Sequence, residues 1–417
     1  MEEQKNKNVK KIILGVVIVG VIIGLVVCFI IAYNNTKEFN NQTNAVATNS
    51  SSTPSKNTNT TNNSSVSSNT TSSNSVASTA NAKNMNITSG GNYDLSGEYE
   101  SITVNTSEEV TLNLNNVTIT NLSGPAINIE KAKKVTIVLS GTNKITSTTT
   151  EDLDGAIYSK ADLVLAGTGS LEVKSNYDGI VSKDTLIIKN GTYTINTDDD
   201  GIRGKDSVEI SDGTFTINAG GDGIKSSNDE DTSLGYVTIT GGTYNITAKS
   251  DGIQGITKVT IGGGTFNISS AEGIEATYVK IDDGTINIEA SDDGINASKK
   301  SNIGTPTIEI NGGNITIKMG QGDTDGIDSN GNLYINGGTI DITGNSPFDY
   351  DGTAQYNGGT IIVNGTQTNT ITNQMMGGGM KGGMPEQMNQ NGEMQNNEKQ
   401  QMTPNGEMQM NGGRRGR

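Results

Sequence analysis

Carboxylates followed by glycine and isoleucine punctuate the middle of this chain. The triplet stands at Asp200-Gly201-Ile202, Asp222-Gly223-Ile224, Asp251-Gly252-Ile253, Glu272-Gly273-Ile274 and Asp293-Gly294-Ile295. Its glycines recur at short, nearly constant intervals with one longer step, the mark of a solenoid. Stacked coils put equivalent residues about 4.8 Å apart. Carboxylates that close repel, and the repulsion raises their pKa values or recruits a cation. Calcium is the expected cation, because it takes about six to eight oxygen ligands in flexible geometry. The candidate calcium ligands are Asp198, Asp199, Asp200, Asp222 and Asp251, then Asp292 and Asp293, then Asp323 and Asp325. Asp-Gly is also ordinary turn chemistry, and stacked Asp side chains can bond neighbouring backbone instead. An EF-hand reading of Asn196 to Gly201 fails, because Ser207 stands where the closing Glu belongs.

Beside the acids runs a second column, the residue after each Ile: Val181, Arg203, Lys225, Gln254, Glu275, Asn296 and Asp328. Arg203, Lys225, Gln254 and Asn296 are the candidate ligand-binding residues. A cation beside Arg and Lys suits carboxylated sugars, since calcium bridges protein and uronate carboxylates while the basic side chains pair with the remainder. The same residues admit a polysaccharide-lyase chemistry. There calcium acidifies the proton next to a uronate carboxylate, Lys225 with a lowered pKa removes it, and Arg203 steadies the developing charge. A purely structural surface adhesin, binding no glycan, is the third reading.

Short strands must carry these columns. Between the triplets recur Gly213-Thr214-Phe215-Thr216-Ile217, Gly242-Thr243-Tyr244-Asn245-Ile246 and Gly264-Thr265-Phe266-Asn267-Ile268. Period-two alternation of β-branched and aromatic residues marks strands with one buried face. The column Tyr193, Phe215, Tyr244, Phe266 continues as Ile286, Ile315 and Ile340, so it reads as an inner stack. The outward column of Thr and Asn reads as a solvated strand face, with ice or surface adhesion as a minor alternative. Gly and Asp at 212–213 and 220–223 supply corners, where positive φ is often needed. The expectation is an all-β fold, a right-handed parallel β-helix of three short strands per coil over 86–366. Inserts at 226–235, 298–306 and 319–323 are expected as corner loops.

Composition narrows the chemistry further. The chain has 417 residues, 31% of them hydrophobic, no His, no Trp and a formal net charge of −16. Without His there is no Ser-His-Asp triad and no His-ligated zinc. The single Cys28 excludes a disulfide framework. Strong negative charge argues against nucleic acid as a partner. Residues 1–11 are lysine-bearing and read as a cytoplasmic N-terminus. Residues 12–33 read as an uncleaved transmembrane helix, with the remainder outside a bacterial cell membrane. Residues 34–85, almost wholly Asn, Thr and Ser, read as a disordered linker. Residues 367–417 hold most of the chain's 12 methionines and read as a disordered tail.

The phrases Ile157-Tyr158-Ser159-Lys160-Ala161-Asp162-Leu163, Gly179-Ile180-Val181-Ser182-Lys183-Asp184-Thr185-Leu186 and Gly201-Ile202-Arg203-Gly204-Lys205-Asp206 add a resemblance. The chain resembles a bacterial carbohydrate-binding β-helix family, similar to polysaccharide lyases, that binds cellulose and acidic sugars. The resemblance implies a right-handed parallel β-helix, calcium at the acidic corner and polysaccharide binding without established catalysis.

Overall fold

β-branched and aromatic residues alternate with Thr, Asn and Ser over runs of four to six residues, too short for a wide sheet but enough for one side of a coil. The computed structural model describes residues 74–75, 83–321 and 324–373. All of them fall within a compact unit running Thr71–Arg417. The membrane helix expected at 12–33 lies outside the described residues, as do nearly all of the linker and the tail beyond 373. Among the described residues every element is a strand, and none is a helix able to cross a membrane.

One coil consists of the strands Ser207–Ile210, Thr214–Ala219 and Ile224–Ser226. Each pairs in parallel with the strand three earlier and the strand three later. Thus Thr214–Ala219 lies between Thr192–Thr197 and Thr243–Ala248, with Phe215 opposite both Tyr193 and Tyr244. Ile224–Ser226 lies between Ile202–Gly204 and Asp251–Gly255. From Ile127–Lys131 to Thr360–Val363 this parallel offset of three holds throughout, which makes a three-faced β-solenoid. The inserts at 227–235 and 298–306 fall in loops between strands, as expected, whereas Ser226 and Met319 end strands and 322–323 lie outside the described residues.

The core is a narrow ladder of stacked apolar side chains. Tyr193, Phe215, Tyr244 and Phe266 stack with ring centroids 5.0, 4.7 and 4.6 Å apart and planes within 8°. Each ring is almost wholly buried, which stabilises the fold by roughly 1.5–3 kcal/mol apiece. The hydroxyls of Tyr193 and Tyr244 leave the stack at its edge, donating to the carbonyls of Asn190 and Gly241 at 2.8 Å.

The glycines at the corners divide into two kinds. Gly213 has φ of 138°, a conformation other residues resist. The triplet glycines do not have positive φ, contrary to the expectation for 220–223. What they supply is room: a Cβ on Gly201 would sit 2.6 Å from the Gly223 carbonyl oxygen and 2.6 Å from an Ile217 methyl. At the far end Thr360–Val363 turns back through Asn364 (φ 50°) and Gly365 (φ 76°) to pair antiparallel with Thr366–Thr368. Asn-Gly is the favoured two-residue hairpin loop, and this hairpin covers the outer edge of Thr360–Val363.

Candidate functional site

Stacking in register carries the triplet acids into one column, as the repeat predicts. The amide N–H of Asp200 donates to Asp178 Oδ1 at 3.0 Å, that of Asp222 to Asp200 Oδ1 at 2.8 Å, and that of Asp251 to Asp222 Oδ1 at 2.9 Å. Asp325 donates likewise to Asp293 at 3.1 Å. One carboxylate oxygen each of Asp178, Asp200, Asp222 and Asp293 is therefore spent on the backbone of the next coil. On Asp178, Asp200 and Asp222 the other oxygen, Oδ2, meets Arg203 or Lys225.

The strip divides by charge. In its first half, Arg203 Nε lies 2.7 Å from Asp178 Oδ2, and the guanidinium also holds Asp154. Lys183 reaches Asp154 at 2.9 Å. Lys225 Nζ lies 2.7 Å from Asp222 and 3.3 Å from Asp200. These three cations neutralise most of the acids around them. Burial alone would lower the Lys225 pKa, but Asp200 and Asp222 override it and hold the ammonium charged. The lowered pKa expected of Lys225 as a lyase base is therefore not what its two carboxylate partners favour.

The second half is acid-rich. Asp251, Glu272 and Glu275 bring carboxylate oxygens within 4.8 Å of one another. Gln254 Nε2 donates to Asp251 and, at 3.2 Å, to Glu275. Ser298 donates to Glu275 Oε1 at 2.7 Å, and Lys300 pairs with Glu275 Oε2 at 2.5 Å. Asn296 Nδ2 donates to Glu272 at 3.0 Å, while its Oδ1 is buried without a partner. Burial, then the charges of Asp222, Glu275 and Glu272, pushes Asp251 up to about 8. Burial and Glu275 push Glu272 up to about 7. Further along, burial raises Asp293 to about 6, and burial with Asp293 and Asp349 raises Asp328 to about 7. Crowded, buried, under-neutralised oxygens of this kind can hold a metal ion.

The remaining candidates fall in different places. Asp199 joins Asp178 and Asp200 in a second group able to hold a metal ion. Exposed Asp198 lines a shallow trough at the corner together with Asn196 and Asn218. Asp292 is exposed beside Asp293, and Asp323 lies outside the described residues. Asn228, in the first insert, is used by its own loop, accepting from the amides of Glu230 and Asp231 at 3.0 and 2.9 Å. Sequence reasoning left Glu272 and Glu275 out of the ligand set. Glu275 was visible as the acidic member of the column after each Ile, opposite Gln254 in register.

A family model described as "carbohydrate-binding domain-containing protein" matches residues 81–326 and 277–416. Among solved structures the chain is similar to a polysaccharide lyase-like protein from C. thermocellum, determined as a gadolinium derivative. That match is 35% identical, covers 50% of this chain and 89% of the other, and has a TM-score of 0.43. No curated protein matches.

Proposed function

This chain belongs to the carbohydrate-binding domain family, and on that premise we propose that it binds acidic polysaccharide at the bacterial cell surface through calcium seated on the acid strip. The observation that carries the reading is the strip's split charge. Asp251, Glu272 and Glu275 converge oxygens that repel, while Arg203 and Lys225 stand a coil or two away on the same face. A calcium ion on the crowded oxygens relieves the repulsion, and the buried Oδ1 of Asn296 adds a neutral oxygen ligand. A uronate carboxylate completes its coordination, and the next uronate along the chain reaches toward Lys225 and Arg203. Gln254, between the two halves, is placed to meet sugar hydroxyls. A right-handed coil and a membrane anchor at 12–33 that displays it outside the cell belong to the same reading.

A glycan array read with and without a calcium chelator tests it, alongside Asp251→Asn and Glu275→Gln. Uronate-rich glycans should be retained only with calcium, and both variants should lose them. Retention indifferent to chelator and to both substitutions would make the strip architectural. Because Lys225 is held protonated, incubation with polygalacturonate should release no unsaturated, ultraviolet-absorbing product. Such a product would restore the lyase reading.

A further inference from the structure

The corner that joins one coil to the next is short beside Glu275 and long one coil later. Thr277 alone separates Glu272–Ala276 from Tyr278–Ile281, whereas residues 298–306 separate Ile295–Ala297 from Thr307–Ile310. The long corner is tied down at Thr277, which is wholly buried and whose Oγ1 accepts from the amides of Lys300 and Ser301 at 3.1 and 2.9 Å. So anchored, it lays two side chains on Glu275. Ser298 donates to Oε1 at 2.7 Å, and Lys300 Nζ pairs with Oε2 at 2.5 Å. Glu275 is the carboxylate that closes the metal-competent group with Asp251 and Glu272. Asn296, only 7% exposed, donates to Glu272 in that group and leaves its own Oδ1 without a partner.

Lys300 differs in kind from the other cations of the strip. Arg203 and Lys225 stand within strands, and each contacts more than one acid. Lys300 stands on a loop, and Glu275 is its one ion-pair partner among the described residues. Its ammonium rides on a flexible four-carbon stem, so it can leave without moving the backbone. A divalent ion seated on Asp251, Glu272 and Glu275 would compete for the oxygen that Lys300 holds, and the two positive charges would repel. Loading the seat therefore favours release of Lys300, at the cost of one ion pair, while Arg203 and Lys225 stay where they are.

We propose that Lys300 is a built-in counter-ion that occupies the seat in place of calcium and, once the ion displaces it, binds the carboxylate of the incoming glycan. The inference rests on the acid-strip reading and adds an order of events, ion first and anionic sugar second. In the metal-free chain Lys300 neutralises Glu275 and so holds calcium affinity down. Once displaced, the ammonium keeps its proton, and the amide bond to Thr277 keeps it beside the ion that took its place. A uronate carboxylate arriving there meets calcium on one oxygen and Lys300 on the other. A neutral sugar gains nothing from the exchange, so the loop favours anionic glycans and does so only when calcium is bound.

The test is calorimetric titration of the full chain, first with calcium alone and then with oligogalacturonate at saturating calcium. The wild type is compared with Lys300→Gln, Lys300→Arg and the control Lys299→Gln, which removes an exposed neighbouring charge. Lys300→Gln should take calcium about tenfold more tightly and oligogalacturonate about tenfold more weakly. Lys300→Arg should restore the glycan affinity, and Lys299→Gln should match the wild type in both titrations. Thermal unfolding adds a readout of the seat itself: Lys300→Gln should melt below the wild type in chelator and level with it in saturating calcium. A loop that merely shapes the seat would lose both affinities together, and that result overturns the proposal. Calcium affinity in Lys300→Gln equal to the wild type overturns it too, as does glycan affinity left unchanged by that substitution. No calcium uptake by either the wild type or Lys300→Gln would remove the acid-strip reading itself, a result distinct from uptake that ignores Lys300.

Discussion

Asp251 and Glu272 are held well above their ordinary carboxylate values of 3.8 and 4.5, at about 8 and about 7, chiefly by burial. A carboxyl whose folded pKa is raised contributes stability that is complete below its ordinary value and is lost as pH rises through the raised one. Without a cation the protein should therefore melt at a lower temperature at about pH 9 than at about pH 5. Calcium should flatten that difference, because a bound ion stabilises the ionised carboxylates that high pH creates. Thermal unfolding at both pH values, with chelator and with calcium, checks the sign. A second expectation concerns Arg203, which neutralises buried Asp178 and half-buried Asp154. Arg203→Met should cost roughly 3–5 kcal/mol at alkaline pH by leaving Asp178 without its cation, while Lys183 still holds Asp154. The cost should shrink in acid, where Asp178, already pushed up by burial, can take a proton. Denaturant titration at the two pH values separates the ionic effect from simple loss of packing.

At the scale of the strand and its corner, two substitutions probe why the coil closes. Gly223→Ala would push a methyl to within 2.6 Å of the Gly252 carbonyl oxygen and 2.5 Å of an Ile246 methyl. The backbone cannot yield there without breaking the ladder, so a loss of roughly 1–3 kcal/mol is expected in chemical denaturation. Phe215→Ala would empty the middle of the four-ring stack, removing contacts with Tyr193 and Tyr244 at once. That should cost about 3–5 kcal/mol. The strands themselves were legible because Thr214–Ala219 and its neighbours alternate cleanly, and one register error would turn Phe215 to solvent. The role of the triplet glycines was not legible in the same way. Asp-Gly invites a turn interpretation, and only the stacked carbonyl of the following coil shows that Gly201 is small for lack of space.

Over the whole molecule the repeat made the architecture readable, because a solenoid's long-range contacts are its sequence period. The column of acids followed from the same arithmetic, and Asp200, Asp222 and Asp251 do share it. The pairing of charges across coils was harder to see. Arg203 reaches back to Asp154 and Asp178, and Lys225 back to Asp200, so the cations fill the half of the strip where the acids looked densest. The crowded oxygens move instead to Asp251, Glu272 and Glu275, whose Glu members stood in the triplet and in the column after each Ile but outside the candidate ligand set. The account's central claim is that these oxygens form a cation seat that an anionic glycan shares. Its most direct test is the affinity for polygalacturonate measured calorimetrically across a calcium titration, in the wild type and in Glu275→Gln. The account predicts affinity that climbs with calcium occupancy and falls about tenfold or more in the variant. Affinity that is the same at every calcium concentration, and the same in Glu275→Gln, would contradict it.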